Sequence, residues 1–251
     1  MNVLALEFPP ITHLTVWPSG PLGFNKVAGI YVFATVATLV LFLIAGSKKQ
    51  LVPRGIQNIA ESSVDFVRNS IIMQTIGPEG LPYLPLLATM FFFIFFSNIT
   101  EIIPAIQMPA NARFGVPLVL ALMVWVIYWV VGFVKQGPLH YLKNSTIPPG
   151  VPKAILPLVA AIEFLQILLV RPFSQAVRLF ANMLAGHLIL VTFSVLCAAL
   201  FALQWYLVIL PFSFALLVFL TAFEILVSFL QAFIFTILTA VYIGSSMHPD
   251  H

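Results

Sequence analysis

The chain has 251 residues, of which 61% are hydrophobic and 8% charged. Soluble domains carry about 25% charge and about 45–50% apolar residues, so this composition excludes a water-facing surface and makes lipid the solvent. The formal charge of +3 is too small to suggest a nucleic-acid partner, and a single cysteine, Cys197, excludes an internal disulfide.

At ~20 residues per span, the length accommodates five or six spanning helices in one membrane domain, 1–251. Residues 1–26 read as an external N-terminal segment; they have no basic start and no short apolar core, so no cleaved leader is expected. A first span covers 27–46 and stops at Gly46, with Lys48, Lys49, Pro53 and Arg54 behind it. Segment 55–76 is different: Ile56, Ile59, Val64, Val67 and Ile71 recur near helical spacing, with Glu61, Asp65 and Arg68 between them. That pattern predicts an amphipathic interfacial helix too polar to cross. A second span runs over 82–104 and carries Asn98 and Glu101 at its outer end; a third covers 116–135. Residues 135–153, with four prolines, read as a polar loop.

Two long apolar runs follow, 154–201 and 206–247. Helices of ~45 residues reach about 65–70 Å at 1.5 Å per residue, roughly twice the hydrocarbon thickness. The pair is expected to form a strongly tilted antiparallel hairpin, with Pro172 free to kink the first arm. The predicted fold is an all-α integral membrane protein of five spanning helices plus one amphipathic helix.

Basic residues set the orientation. Placing Lys48, Lys49 and Arg54 in the cytoplasm puts Arg68, Lys135, Lys143 and Lys153 there too, leaving Lys26 and Arg113 outside. The positive-inside rule then places the N-terminus outside, the 202–206 turn outside and the C-terminus in the cytoplasm. No internal repeat supports an inverted-repeat transporter.

Arg178 is the principal anomaly. It sits about halfway along the first long run, with Glu163, the nearest acid on its own helix, fifteen positions upstream. A guanidinium cannot shed its proton, and burying it in lipid costs ~2.5 kcal/mol or more. An acid outside this helix is the natural answer; snorkelling to an interface is the alternative. At 100° per residue, Arg171, Ser174, Gln175, Arg178 and Asn182 share one side, with Ala181 and Ala185 beside it. Such a stripe suits close approach of another helix and equally serves as glue between helices.

The second arm has its own stripe of Glu224, Ser228, Gln231 and Tyr242. Counting outward from a turn near Gln204 brings His187 to the depth of Glu224, and Arg178 to that of Gln231. An imidazole beside a carboxylate can pass protons; it can also be a static ion pair. Asn98 and Glu101 are candidates for the same outer path, and Glu163 for an inner one. His13, His140, His248 and His251 fall in aqueous segments. No phosphate loop, dinucleotide fingerprint or zinc-protease motif is present, so ion movement is the expected chemistry.

These residues carry a resemblance. RPFSQAVRLFANMLAGHLIL at 171–190, EILVSFLQAFIFTILTAVYI at 224–243 and SNITEIIP at 97–104 resemble subunit a of the F-type ATP synthase. The resemblance implies a non-catalytic, proton-translocating subunit of the cell inner (plasma) membrane. Its partners would be the rotor c-ring and the peripheral-stalk b-type subunits within the bilayer, and no cofactor is implied. Arg178 matches the essential arginine that meets the ring carboxylate, with Asn182 and Gln231 as polar neighbours. His187 and Glu224 match the outer half-channel pair, in an order reversed from many bacterial members. Glu163 looks like the inner half-channel carboxylate. An ion-coupled secondary transporter is the rival reading.

Overall fold

A computed structural model of the chain describes residues 25–47, 55–103, 106, 108–147, 151–152, 154–202 and 208–247. The described residues are helical and contain no strand. Lys48, Lys49, Arg54 and Lys153 of the orientation argument, the hairpin turn, and His13, His248 and His251 lie outside them.

Helix α1 covers Lys26–Ser47 and is followed by α2, Ile56–Val67. A π turn, Arg68–Ile72, and a last turn, Met73–Thr75, continue α2. The expected amphipathic pattern is realised: Val67, Ile71 and Ile72 are fully buried while Asp65 and Arg68 face out. A 3₁₀ segment, Pro78–Tyr83, feeds α3, Leu84–Ile99. This span ends earlier than expected, so Asn98 lies in its last turn and Glu101 in the turn beyond.

Helix α4 spans Gly115–Gln136, and α5 covers Pro138–Thr146. The latter corrects the sequence reading of a polar loop. Gly137, at φ +81°, ends α4 in a conformation that favours glycine, and Pro138 starts α5 at its first position. Tyr141 then docks among Trp129 and Phe133, with ring centroids 5.7 Å from each, and its hydroxyl lies 3.2 Å from Ser246 Oγ.

The hairpin consists of α6, Leu156–Leu165, a π turn, Gln166–Val170, and α7, Arg171–Ala202, answered by α8, Leu210–Met247. Among the described residues, five helical stretches are long and apolar enough to cross a membrane, and α6–α7 counts as one of them across 46 residues. Only 11% of the most apolar window in that stretch is buried, so most of the hairpin's surface faces lipid or another protein. Large apolar side chains such as Leu158, Phe173, Phe212 and Phe219 stand exposed along it. The core lies where α8 meets α2, α3 and α4, and Phe66, Phe91 and Phe229 interlock there with centroids 5.6–5.9 Å apart.

The irregularity expected at Pro172 occurs one turn earlier, and proline chemistry explains it. The Arg171 amide donates to the Gln166 carbonyl, five residues back. That leaves the Ile167 carbonyl without its usual α-helical donor, and the π-type donor would be the nitrogen of Pro172, which carries no proton. The Tyr128 hydroxyl from α4 donates to the Ile167 carbonyl instead, at 2.6 Å and fully buried. In lipid no water could fill that role. Tyr128→Phe is therefore expected to destabilise the chain by about 0.6–2 kcal/mol, read as a lower thermal midpoint of the purified assembly. An unchanged midpoint would remove Tyr128 from the account of the π turn.

Candidate proton path and outward-facing arginine

Arg178 is exposed on the surface of α7, and Ala181 and Ala185 share that outward face. No described side chain pairs with its guanidinium. The polar stripe of the sequence reading divides at this point. Gln175 turns inward, fully engaged: its Nε2 donates to the Phe235 carbonyl at 3.1 Å and to Thr239 Oγ1 at 3.0 Å on α8. Asn182 and Ser174 are half-buried. Arg171 lies over the ring of Tyr242, 5.1 Å from its centroid, and Tyr242 meets Tyr128 edge-on at 5.9 Å. Glu163 is half-buried on α6, before the π turn.

The antiparallel register can be read from two contacts. A Cβ placed on Gly186 would sit 2.7 Å from the Glu224 Cδ, and Gln175 bonds at Phe235. Equal steps along both helices separate these contacts, so Arg178 stands level with Ala232, next to Gln231. Depth counting from the turn thus agrees with the structure within one residue.

Azimuth differs from that expectation. His187 does not pair with Glu224. Its Nδ1 lies 3.3 Å from Glu101 Oε1, and both side chains are buried. Counting along a hairpin gives depth only, and the end of α3 occupies the side of α7 that His187 faces. Glu224 instead packs its carboxylate against the backbone at Gly186, where a larger residue would collide with it.

On α8, Glu224, Ser228 and Gln231 all face inward, at most 6% exposed. Glu224 Oε1, Ser228 Oγ, Gln231 Nε2 and Asn98 Nδ2 have no hydrogen-bond partner among the described residues, and the Glu101 carboxylate has only its long contact with His187. Buried polar atoms are nearly always satisfied, so this run of acceptors and donors calls for partners beyond the described residues, water among them. A cavity of about 150 Å³ lies between α7 and α8, bordered by Glu224, Gly186 and Asn182. It reaches Ala185 on the outward face. A second cavity of about 410 Å³ lies near the start of α1, between Lys26, Ile30 and Phe33 on one side and Thr100 and Ile106 on the other.

Sequence reasoning missed one participant. Asn111, in the 3₁₀ turn Ala110–Ala112, is fully buried, and its Nδ2 donates to Ser97 Oγ at 2.8 Å and to Asn98 Oδ1 at 2.6 Å. The only signal available was an amide among small residues between Pro109 and Arg113.

Comparison with known proteins places this arrangement. The family described as ATP synthase A chain matches residues 29–244. ATP synthase subunit a of Frankia alni is 42% identical over 92% of this chain and 80% of its own length. The Rhodococcus erythropolis protein of that name is 41% identical over 97% and 88%. One from Rhodopseudomonas palustris is 44% identical over 92% and 93%. With the family's match and these relatives covering nearly its whole length, the chain belongs to the ATP synthase A chain family.

Proposed function

We propose that this chain carries protons between two offset half-paths beside the rotor c-ring of an F-type ATP synthase, with Arg178 as the barrier between them. Membership in the family makes it a non-catalytic, proton-translocating membrane subunit of the ATP synthase complex. The observation that carries the finer reading is an arginine on the outward face of an apolar helix, with no partner among the described residues. A guanidinium keeps its charge in lipid and requires an acid. A carboxylate on a ring helix supplies one, and Ala181 and Ala185 allow that helix to come close.

In this reading protons arrive from outside by Asn98, Glu101 and His187, and pass to Glu224 at the Gly186 gap. They reach the outward face beside Asn182 and neutralise a ring carboxylate, which can then rotate through lipid. On return it loses its proton toward Glu163, with Tyr242 on the same inner side, and meets Arg178. Gln175 ties the two arms together, and Ser228 and Gln231 line the polar seam between them. Each charge crossing the membrane field contributes about 2.3 kcal/mol per 100 mV, and the offset between the half-paths turns it into torque. The basic residues support a plasma-membrane orientation with the N-terminus outside and the C-terminus cytoplasmic. The polar outer face of α2 suits the peripheral-stalk b-type subunits.

Arg178→Ala is expected to abolish proton-driven ATP synthesis in membrane vesicles carrying the assembled complex. Synthesis at the parental rate would overturn the assignment. Gly186→Ala is expected to displace the Glu224 carboxylate and slow ATP-driven proton pumping at least about tenfold, equivalent to ~1.4 kcal/mol on the barrier. Glu224→Gln should give a loss of similar size with the complex still assembled. Pumping at parental rates in both variants would take Glu224 off the path.

A further inference from the structure

Asn111 is bound on all sides, and the direction of its hydrogen bonds is determined by chemistry. Ser97 Oγ spends its proton on the Ile94 carbonyl, at 2.9 Å. It can therefore only accept from Asn111, which fixes the facing atom of Asn111 as Nδ2, the donor. The second Nδ2 proton goes to Asn98, which must present an acceptor, Oδ1. At the other end, Asn111 Oδ1 accepts from the Tyr31 hydroxyl of α1 at 3.1 Å, a proton shared with the Ala110 carbonyl at 2.9 Å. Ser97, Asn98 and Asn111 are all fully buried.

The consequence falls on Asn98. With its carbonyl end held, its Nδ2 is the free end, buried and without a partner among the described residues. Asn98 and Glu101 are three residues apart, joined by a backbone bond of 3.1 Å from the Glu101 amide to the Asn98 carbonyl. Their side chains share one face of that turn. A donor and a carboxylate side by side orient a water between them: the amide donates to its oxygen, and its protons point toward Glu101. A flipped amide would place an acceptor there and compete with Glu101 for the same proton.

We propose that Asn111 is a positioning residue for the outer half-path, holding the Asn98 amide with its donor end free so that the neighbouring water points its protons at Glu101. Tyr31 and the Ala110–Ala112 turn are the frame that holds Asn111. Asn111 touches neither the ring nor the carboxylate, and acts through Asn98. The proposal rests on the outer half-path reading given above.

The test is a double-mutant cycle in the intact complex, reading passive proton conductance of the membrane sector after removal of the catalytic sector, with complex yield as control. Asn111→Ala is expected to lower conductance several-fold at unchanged yield. In an Asn98→Ala background it should cause no further loss. A role confined to tying α1, the turn and α3 together predicts losses that multiply in the double variant, and that result would overturn the proposal, as would parental conductance in Asn111→Ala. If Asn111→Ala does not assemble, Tyr31→Phe, which deletes one hydrogen bond and keeps the ring, takes its place, with the same two outcomes. The wider reading stands or falls separately on Arg178→Ala: loss of synthesis there with multiplicative losses here removes the positioning role alone.

Discussion

Lipid supplies no hydrogen bonds, and this constraint places every polar group on the hairpin. The Ile167 carbonyl, left without an amide by the π turn and Pro172, receives the Tyr128 hydroxyl. Gln175 reaches across to α8 and uses both of its amide protons there. Glu224, Ser228 and Gln231 turn inward. Arg178 is the exception, charged and facing out. Its guanidinium has no partner among the described residues, as the proposed pairing with a carboxylate of another chain requires.

The spans were legible because apolar runs of this length have one stable form in a bilayer, a helix. Depth within the hairpin was legible for a related reason: both arms rise equally per residue, so a count from the turn, which set His187 level with Glu224 and Arg178 level with Gln231, falls within one residue of the observed register. What a count cannot supply is azimuth and third elements. His187 was matched by depth to Glu224, yet its neighbour is Glu101, delivered by the turn after α3. Helix α5 was hidden by its length and polarity, since nine residues around Leu139 and Tyr141 give too little periodicity to outweigh the flanking prolines. Asn111 was hidden because its importance comes from hydrogen bonds to positions more than a dozen residues away, which no local pattern encodes.

The polar network at the outer end differs in kind from the seam between the hairpin arms. The donors and the acceptor of Asn111 itself are matched, and direction follows from one serine whose proton is already committed. Along α8 the polar atoms are buried but unmatched. A matched network is rigid and holds geometry; an unmatched one is open to water and to protons in transit.

Helix α7 presents opposite faces to its two tasks. His187 is buried toward α3, whereas Arg178, nine residues earlier and so about half a turn out of phase at 100° per residue, faces outward. On the proposed path, a proton arriving at His187 is thus on the far side of the helix from a rotor at Arg178, and the helix backbone is impermeable to it. The crossing needs a place where α7 lacks a side chain and α8 supplies a titratable one. Gly186 and Glu224 meet that requirement, and the small cavity beside them runs out to Ala185 on the arginine's own face. On the proposed path, the separation between His187 and the arginine and the gap at Gly186 both come from the same packing of glycine against carboxylate.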